Sequence, residues 1–165
     1  MGESFIVMAG TAGAKSAFLP EIQKYLDCFP VFFQRKKEEL LAEEKRLEAV
    51  DAGGLPASFC LRLGEKSVFM GLWDMHKVLG RGVRVELEKI PYDQLTVELL
   101  EKADKSPYEE PAGNALLMVT ESPVEVLGTF GGKGIRSSVI GTLTADNACV
   151  VVSEAGTRYI TPERK

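Results

Sequence analysis

The sequence has little of what most often does chemistry. Its 165 residues include one histidine, one tryptophan and three cysteines. A single histidine excludes the multi-histidine metal sites and leaves few candidates for a general base. Cys28, Cys60 and Cys149 are odd in number, scattered and set among apolar neighbours. They read as buried free thiols in a reducing cytoplasm, not as a disulfide framework or a zinc site. No apolar run approaches the length of a membrane span, and Met1-Gly2-Glu3-Ser4 lacks the basic region of a secretion signal. Met1-Gly2 would open a myristoylation pattern, but Ile6 stands where Ser or Thr is needed. Basic excess is missing too: 20 Lys and Arg face 24 Asp and Glu, a net charge of -4. That leaves no electrostatic footprint for nucleic acid or an anionic membrane. Gly10 and Gly13 lack the further glycines of a dinucleotide fingerprint or P-loop, so they read as a turn or helix lead-in.

What is present suits a single globular domain spanning 1–165, with 45% hydrophobic and 27% charged residues. The most legible stretch runs from Val68 to Tyr108. Val68, Leu72, Met75 and Leu79 recur every three or four residues and predict an amphipathic helix with Trp73 on its shoulder. Gly80 and Gly82 end that helix. Val83, Val85 and Leu87 then alternate with Arg84, Glu86 and Glu88, as a strand buried on one side does. Ile90-Pro91 stops the strand, and Asp93 is placed to cap a second helix whose stripe is Leu95, Leu99, Leu100 and Ala103.

Upstream, Ser4 to Ala9 predicts a strand, and Ala17 to Phe29 a helix that Pro30 breaks. Phe32 to Val50 follows as a long charged helix. Its Lys36-Lys37, Glu38-Glu39, Glu43-Glu44 and Lys45-Arg46 pairs fall at spacings that permit i,i+4 contacts on a solvated face, with Leu40, Leu41, Leu47 and Val50 on the buried side. Asp51 to Gly54 is a break before a strand over Leu55 to Leu63. Downstream, Pro107 to Gly113 is a loop, and Asn114 to Val119 is an apolar run of the kind covered on both faces. Ser122-Pro123 starts a short helix that ends by Gly131-Gly132. Strands are expected over 137–144, 148–153 and 157–161, joined by turns at Ala145-Asp146-Asn147 and Glu154-Ala155-Gly156. The pattern predicts an α+β fold, a mixed sheet of about six strands flanked by helices. Val85, Leu87, Leu116, Met118, Val139 and Val150 are its expected core.

The order of six segments carries a resemblance: Gly-Leu-Trp-Asp-Met (71–75), Gly-Arg-Gly-Val-Arg-Val-Glu-Leu (80–87), Lys-Ile-Pro (89–91), Pro-Tyr (107–108), Gly-Asn-Ala-Leu-Leu (113–117) and Val-Ile-Gly-Thr-Leu-Thr (139–144). From Phe5 to Pro162 the chain resembles the C-terminal domain of the aminoimidazole ribonucleotide synthetase superfamily. It is most like that superfamily's uncharacterised synthetase-related members and its hydrogenase maturation dehydratases. The resemblance implies a sheet flanked by helices that follows a separate N-terminal domain, which supplies the ATP-binding segment, most metal-binding acids and the main dimer interface. Family members place a His-Asp pair before the central helix and Gly-Gly at its start. Those positions hold Leu61-Arg62 and Lys66-Ser67 here. The family's Asn-Pro-Tyr corner is Ser106-Pro107-Tyr108, and Ala112 replaces the Ser before Gly113.

The remaining chemistry is sparse. Asp74 and His76 are two residues apart, which places them on different helical faces. His76 reads as a surface or core-edge residue, Glu109-Glu110 as a solvated acidic pair, and Trp73 and Tyr108 as core and corner packing. Neither a catalytic residue, a metal site nor a cofactor is expected. A helix start still offers free N–H groups to an anion, so Arg62, Gly64, Lys66 and Ser67 form the one candidate ligand site. Two functions follow as expectations. One is a catalytically degenerate domain acting through self-association or with a protein that carries the N-terminal domain. The other is an enzyme or sensor holding a phosphorylated small molecule or nucleotide at the helix start. Phe29, Val31, Phe32 and Phe33 either tuck beneath the sheet or form a face covered in a homodimer.

Overall fold

Alternation of apolar residues and the caps at element ends set the order of the chain. The computed structural model describes residues 3–160. β1 (Phe5–Ala9) leads through a glycine turn into the short α1 (Ala14–Ala17) and α2 (Pro20–Gln23), then the long α3 (Val31–Glu48). β2 (Phe59–Gly64), α4 (Val68–Leu79) and β3 (Gly82–Glu86) come next. α5 (Gln94–Lys102), β4 (Gly113–Thr120) and α6 (Pro123–Gly132) follow, and β5 (Ser137–Thr144), β6 (Cys149–Ser153) and β7 (Gly156–Tyr159) complete the fold. α4 and the cap of α5 fall where the sequence puts them. Ser67 Oγ accepts the Met70 N–H, Gly80 closes α4 in a left-handed conformation, and Asp93 accepts the Leu95 N–H.

The seven strands form one mixed sheet in the order β2-β4-β1-β5-β3-β6-β7. Only β3 and β6 run parallel; the other neighbours are antiparallel. α4 lays Val68, Leu72 and Met75 on one face, against Met8, Leu117, Val85 and Val151. α3 and α6 cover the other, where Leu47, Val126 and Phe130 meet Val7, Leu116 and Met118. β1 and β4 are therefore buried on both sides, and Leu116 to Met118 has no exposed surface. A third cluster joins α1, α2, α3 and α5 through Ala17, Ile22, Leu40, Leu95 and Leu99.

Several expectations change. The stretch from Ala17 to Phe29 is not one helix. Pro20 stands at the first turn of α2, and a further short turn covers Leu26–Cys28, because proline can open a helix but not continue one. Leu41 faces solvent. Leu87 has left β3 for a helical turn and, like Val139, is only half-buried. The phenylalanine cluster divides: Phe29 and Phe33 pack on the third cluster, while Val31 and Phe32 are each 63% exposed. Residue 161 of the last expected strand lies outside the described residues.

Gly141 shows how tightly the middle of the sheet is drawn. It pairs with Ile6 on one side and Val85 on the other, beside an irregularity in the β1–β5 register. A Cβ there would overlap the Arg84 carbonyl oxygen and lie 2.8 Å from the Val85 Cα, both backbone atoms that no rotamer change can move. Gly141→Ala is therefore expected to cost about 1–3 kcal/mol or more, measured as a shift in the chemical denaturation midpoint with an unchanged slope.

Candidate functional site

The start of α4 is the place where sequence and fold both point. Gly64 ends β2 with a φ of 60°, and Lys66 and Ser67 lead into the helix. The side chains of Glu65, Lys66 and Ser67 each already have a partner. Ser67 Oγ caps the Met70 N–H at 3.2 Å, and Lys66 Nζ pairs with Asp74 about two turns into the helix. The Lys66 carbonyl accepts the Ala112 N–H at 3.1 Å. Glu65 pairs with Lys15 of α1. The helix start thus carries two ammonium groups, each beside a carboxylate.

Arg62 is not with them. It pairs in register with Leu116, on the sheet face that α3 covers. Its guanidinium donates to the Leu47 and Val50 carbonyls at 3.1 Å each and to the Asn114 carbonyl at 2.9 Å. A cation at the carbonyl end of α3 interacts favourably with the helix dipole, so Arg62 fastens a helix on the face opposite α4. The structure brings Gly64, Lys66 and Ser67 together and holds Arg62 apart.

Two glutamates expected on a solvated face prove to be the functional centre of α3 packing. Glu43 and Glu44 are 5% and 7% exposed. Glu43 binds Arg136 through Nε at 3.1 Å and Nη2 at 2.6 Å, and also accepts its backbone N–H at 2.9 Å. Asp93 takes the same guanidinium at 2.8 Å. Glu44 accepts the Asn114 N–H at 3.3 Å, and burial pushes its carboxyl above the ordinary range despite that bond. The signal for these two lay in spacing: Leu40, Glu43, Glu44 and Leu47 form an i, i+3, i+4, i+7 stripe, so the flanking leucines turn both acids inward.

At the far end of α4, Trp73, His76 and Lys77 line a cavity of about 510 Å³ with Gly80, Asn147, Cys149, Tyr159 and Ile160. Trp73 is half-buried, not core, and Lys77 Nζ lies 5.9 Å from its ring centre. His76 is buried at the core edge, its Nδ1 2.7 Å from the Arg81 carbonyl, so that nitrogen carries the proton. Burial pushes the Cys149 thiol up to about 11, which keeps it protonated and unreactive. Tyr108 stacks on Phe69 at 5.8 Å, and Arg158 covers Phe69 and pairs with Glu109 at 3.2 Å. Glu110 pairs with Lys105. Among the described residues, no group of three or more His, Cys, Asp or Glu side chains is placed to hold a metal ion.

No protein-family model and no curated protein matches the chain. Solved structures do. The hydrogenase maturation protein HypE of E. coli superposes with a TM-score of 0.72 at 12% identity, over 99% of this chain and 51% of that one. The thiamine-monophosphate kinase of Stenotrophomonas maltophilia K279a gives 0.62 at 12% identity, over 92% and 50%. A HypE–HypF complex gives 0.64 at 14%, over 99% and 54%. The fold is that of the aminoimidazole ribonucleotide synthetase-like proteins. The chain spans about half the length of these structures.

Two measurements test this geometry. Trp73→Ala is expected to cost about 1–3 kcal/mol, below the 3–5 kcal/mol of a fully buried aromatic, as read by urea denaturation. Glu44 has a folded pKa raised above its unfolded value, so its charged form opposes folding. That penalty is full above the folded pKa and vanishes below the unfolded one. Glu44→Gln, which can still accept the Asn114 N–H, should therefore raise the melting temperature at pH 7. The gain should shrink steadily as the pH falls toward 4.

Proposed function

We propose that this chain is a catalytically degenerate domain that works by associating with a second polypeptide, either another copy or a protein carrying the remaining half of such a structure. The observation that carries this reading is the state of the α4 start. Lys66, Glu65, Asp74 and Lys15 are engaged with one another, Ser67 caps its own helix, and Arg62 is bound to three carbonyls on the other face. The similarity to a HypE–HypF complex, in which a protein of this fold assembles with a different one, supports association as the mode of action. Exposed Val31 and Phe32 at the start of α3 offer an apolar contact for a homodimer. No helix among the described residues is long and apolar enough to cross a membrane, and three free cysteines favour a reducing, cytoplasmic setting.

The competing reading places a phosphorylated metabolite or nucleotide at Gly64, Lys66 and Ser67. Similarity to a protein named as a kinase is what keeps it in view. Titration calorimetry with ATP and with phosphorylated metabolites separates the two. The degenerate domain should show no heat at millimolar ligand and no release of phosphate from ATP, while light scattering at micromolar protein should exceed the monomer mass or rise on adding the partner. Steady ATP turnover with a defined acceptor would overturn the proposal.

A further inference from the structure

The outer edge of the sheet lies next to the cavity at the far end of α4, and the two together make a recognisable kind of groove. β7 is the last strand in the sheet, and all four of its residues are exposed. The Ile160 N–H donates to the Cys149 carbonyl at 2.8 Å, and β7 pairs Tyr159 with Val150, Arg158 with Val151 and Thr157 with Val152. In an antiparallel ladder hydrogen-bonded pairs alternate with non-bonded ones. With Ile160 bonded inward, Arg158 is bonded inward too, so the N–H and C=O groups of Thr157 and Tyr159 point away from β6. Among the described residues these groups have no partner, and they are of the kind to which another strand adds.

Side chains of an added strand would alternate between the two faces of the sheet. On one face they meet α4. Arg158 reaches across that face to lie 5.2 Å from the Phe69 ring centre, and Ile160 joins the core under α4. Beyond Arg158 the cavity opens between Ile160 and the Trp73, His76 and Lys77 turn, with a volume inside the roughly 300–1,000 Å³ of small binding pockets. Trp73 and Tyr159 in its lining are of the aromatic type enriched at interfaces. His76, with its Nδ1 proton on the Arg81 carbonyl, leaves Nε2 as an acceptor. Among the described residues, Lys77 is exposed beside the cavity with no ion-pair partner, Arg158 shares its charge with Glu109, and Asp146 lies near His76.

We infer that the β7 edge and the α4 groove together take an extended, acidic segment of a partner polypeptide, which adds as an eighth strand and puts one apolar or aromatic side chain into the cavity. This rests on the reading of the chain as an association module and names the surface and the partner's chemistry. Strand addition supplies affinity through main-chain hydrogen bonds and specificity through alternate side chains. A second copy fits poorly. Pairing the outward groups of Thr157 with those of Tyr159 across a two-fold axis places Arg158 opposite its own image, a like-charge pair in the closest cross-strand position. An acid on the incoming strand meets Lys77 and Arg158 instead.

The test uses a labelled, end-capped hexapeptide of β-branched residues carrying Asp and Phe two positions apart. It is titrated with the full chain by fluorescence anisotropy, and the unlabelled peptide is followed by the emission of Trp73, the only tryptophan. Saturable binding in the micromolar to high-micromolar range is expected, with a change in Trp73 emission. Lys77→Glu should weaken it about tenfold, and a peptide bearing Lys in place of Asp should bind Lys77→Glu better than the original chain. Thr157→Pro removes an outward N–H and should abolish binding. Because that variant can also disturb the edge itself, the same peptide N-methylated at alternate residues gives the protein-independent control and should not bind. No saturation by the original peptide at millimolar concentration, or equal binding of the N-methylated one, overturns the inference. Self-association of the unmodified chain that Thr157→Pro abolishes would give the edge to a second copy and also overturn it. ATP turnover by a chain that binds the peptide would sink the proposed function while leaving this surface in place.

Discussion

Three parts of the molecule meet at one guanidinium. Arg136 begins the run into β5, and its carbonyl accepts the Gly10 N–H at the end of β1. Its side chain holds Glu43 from the middle of α3 and Asp93 from the cap of α5. Burial works against the charge on Arg136, and the two carboxylates outweigh it, holding its pKa above the ordinary value. An exposed ion pair is worth about 0–1 kcal/mol, but removing one partner of a buried pair costs roughly 3–5 kcal/mol because it strands a charge. Glu43 is the buried member and Arg136 is partly solvated, so the joint falls between these limits. Its importance is geometric. It fixes how the third apolar cluster, built on α1, α2, α3 and α5, sits beside the end of a sheet that its own two core clusters already hold together.

The sheet and the central helix were legible because their signals are local. Alternation in Val83 and Val85, the apolar run of Asn114 to Val119, the Ser67 and Asp93 caps and the Gly80 stop each act within a few residues. What could not be read is long-range pairing. Arg136 lies 93 positions from Glu43, and Asn114 lies 70 from Glu44. A charge census assigns both acids to solvent, and only the leucines on either side of them betray that they point inward. The placement of Arg62 has a related cause. Its position beside the helix start in sequence suggested a ligand group, but strand alternation turns it to the opposite face from Leu61 and Leu63. One residue of offset in a strand reverses a side chain completely. Trp73 was placed on the helix correctly and misjudged in depth, since periodicity gives a face and not how far a neighbour covers it.

Whether the α4 start could hold a phosphate is a matter of magnitudes. Lys66 and Lys15 are each partly exposed, so leaving Asp74 or Glu65 for a phosphate would cost little. Opening the pairs is therefore not the obstacle. The obstacle is what remains afterwards: two released carboxylates beside an arriving anion, with no second guanidinium to balance them because Arg62 stays with its three carbonyls. The helix dipole contributes roughly 0.3–1 kcal/mol at an exposed terminus, which is small against the repulsion of two released acids. Groups at the edge of the fold have the opposite balance. Among the described residues the outward N–H and C=O groups of Thr157 and Tyr159 have no partner, Lys77 rests on an aromatic ring with no ion-pair partner, and the cavity beside them is lined by Trp73, His76, Tyr159 and Ile160. At the α4 start the charged side chains are paired with one another, whereas at the β7 edge the outward main-chain groups are what the inferred strand would use.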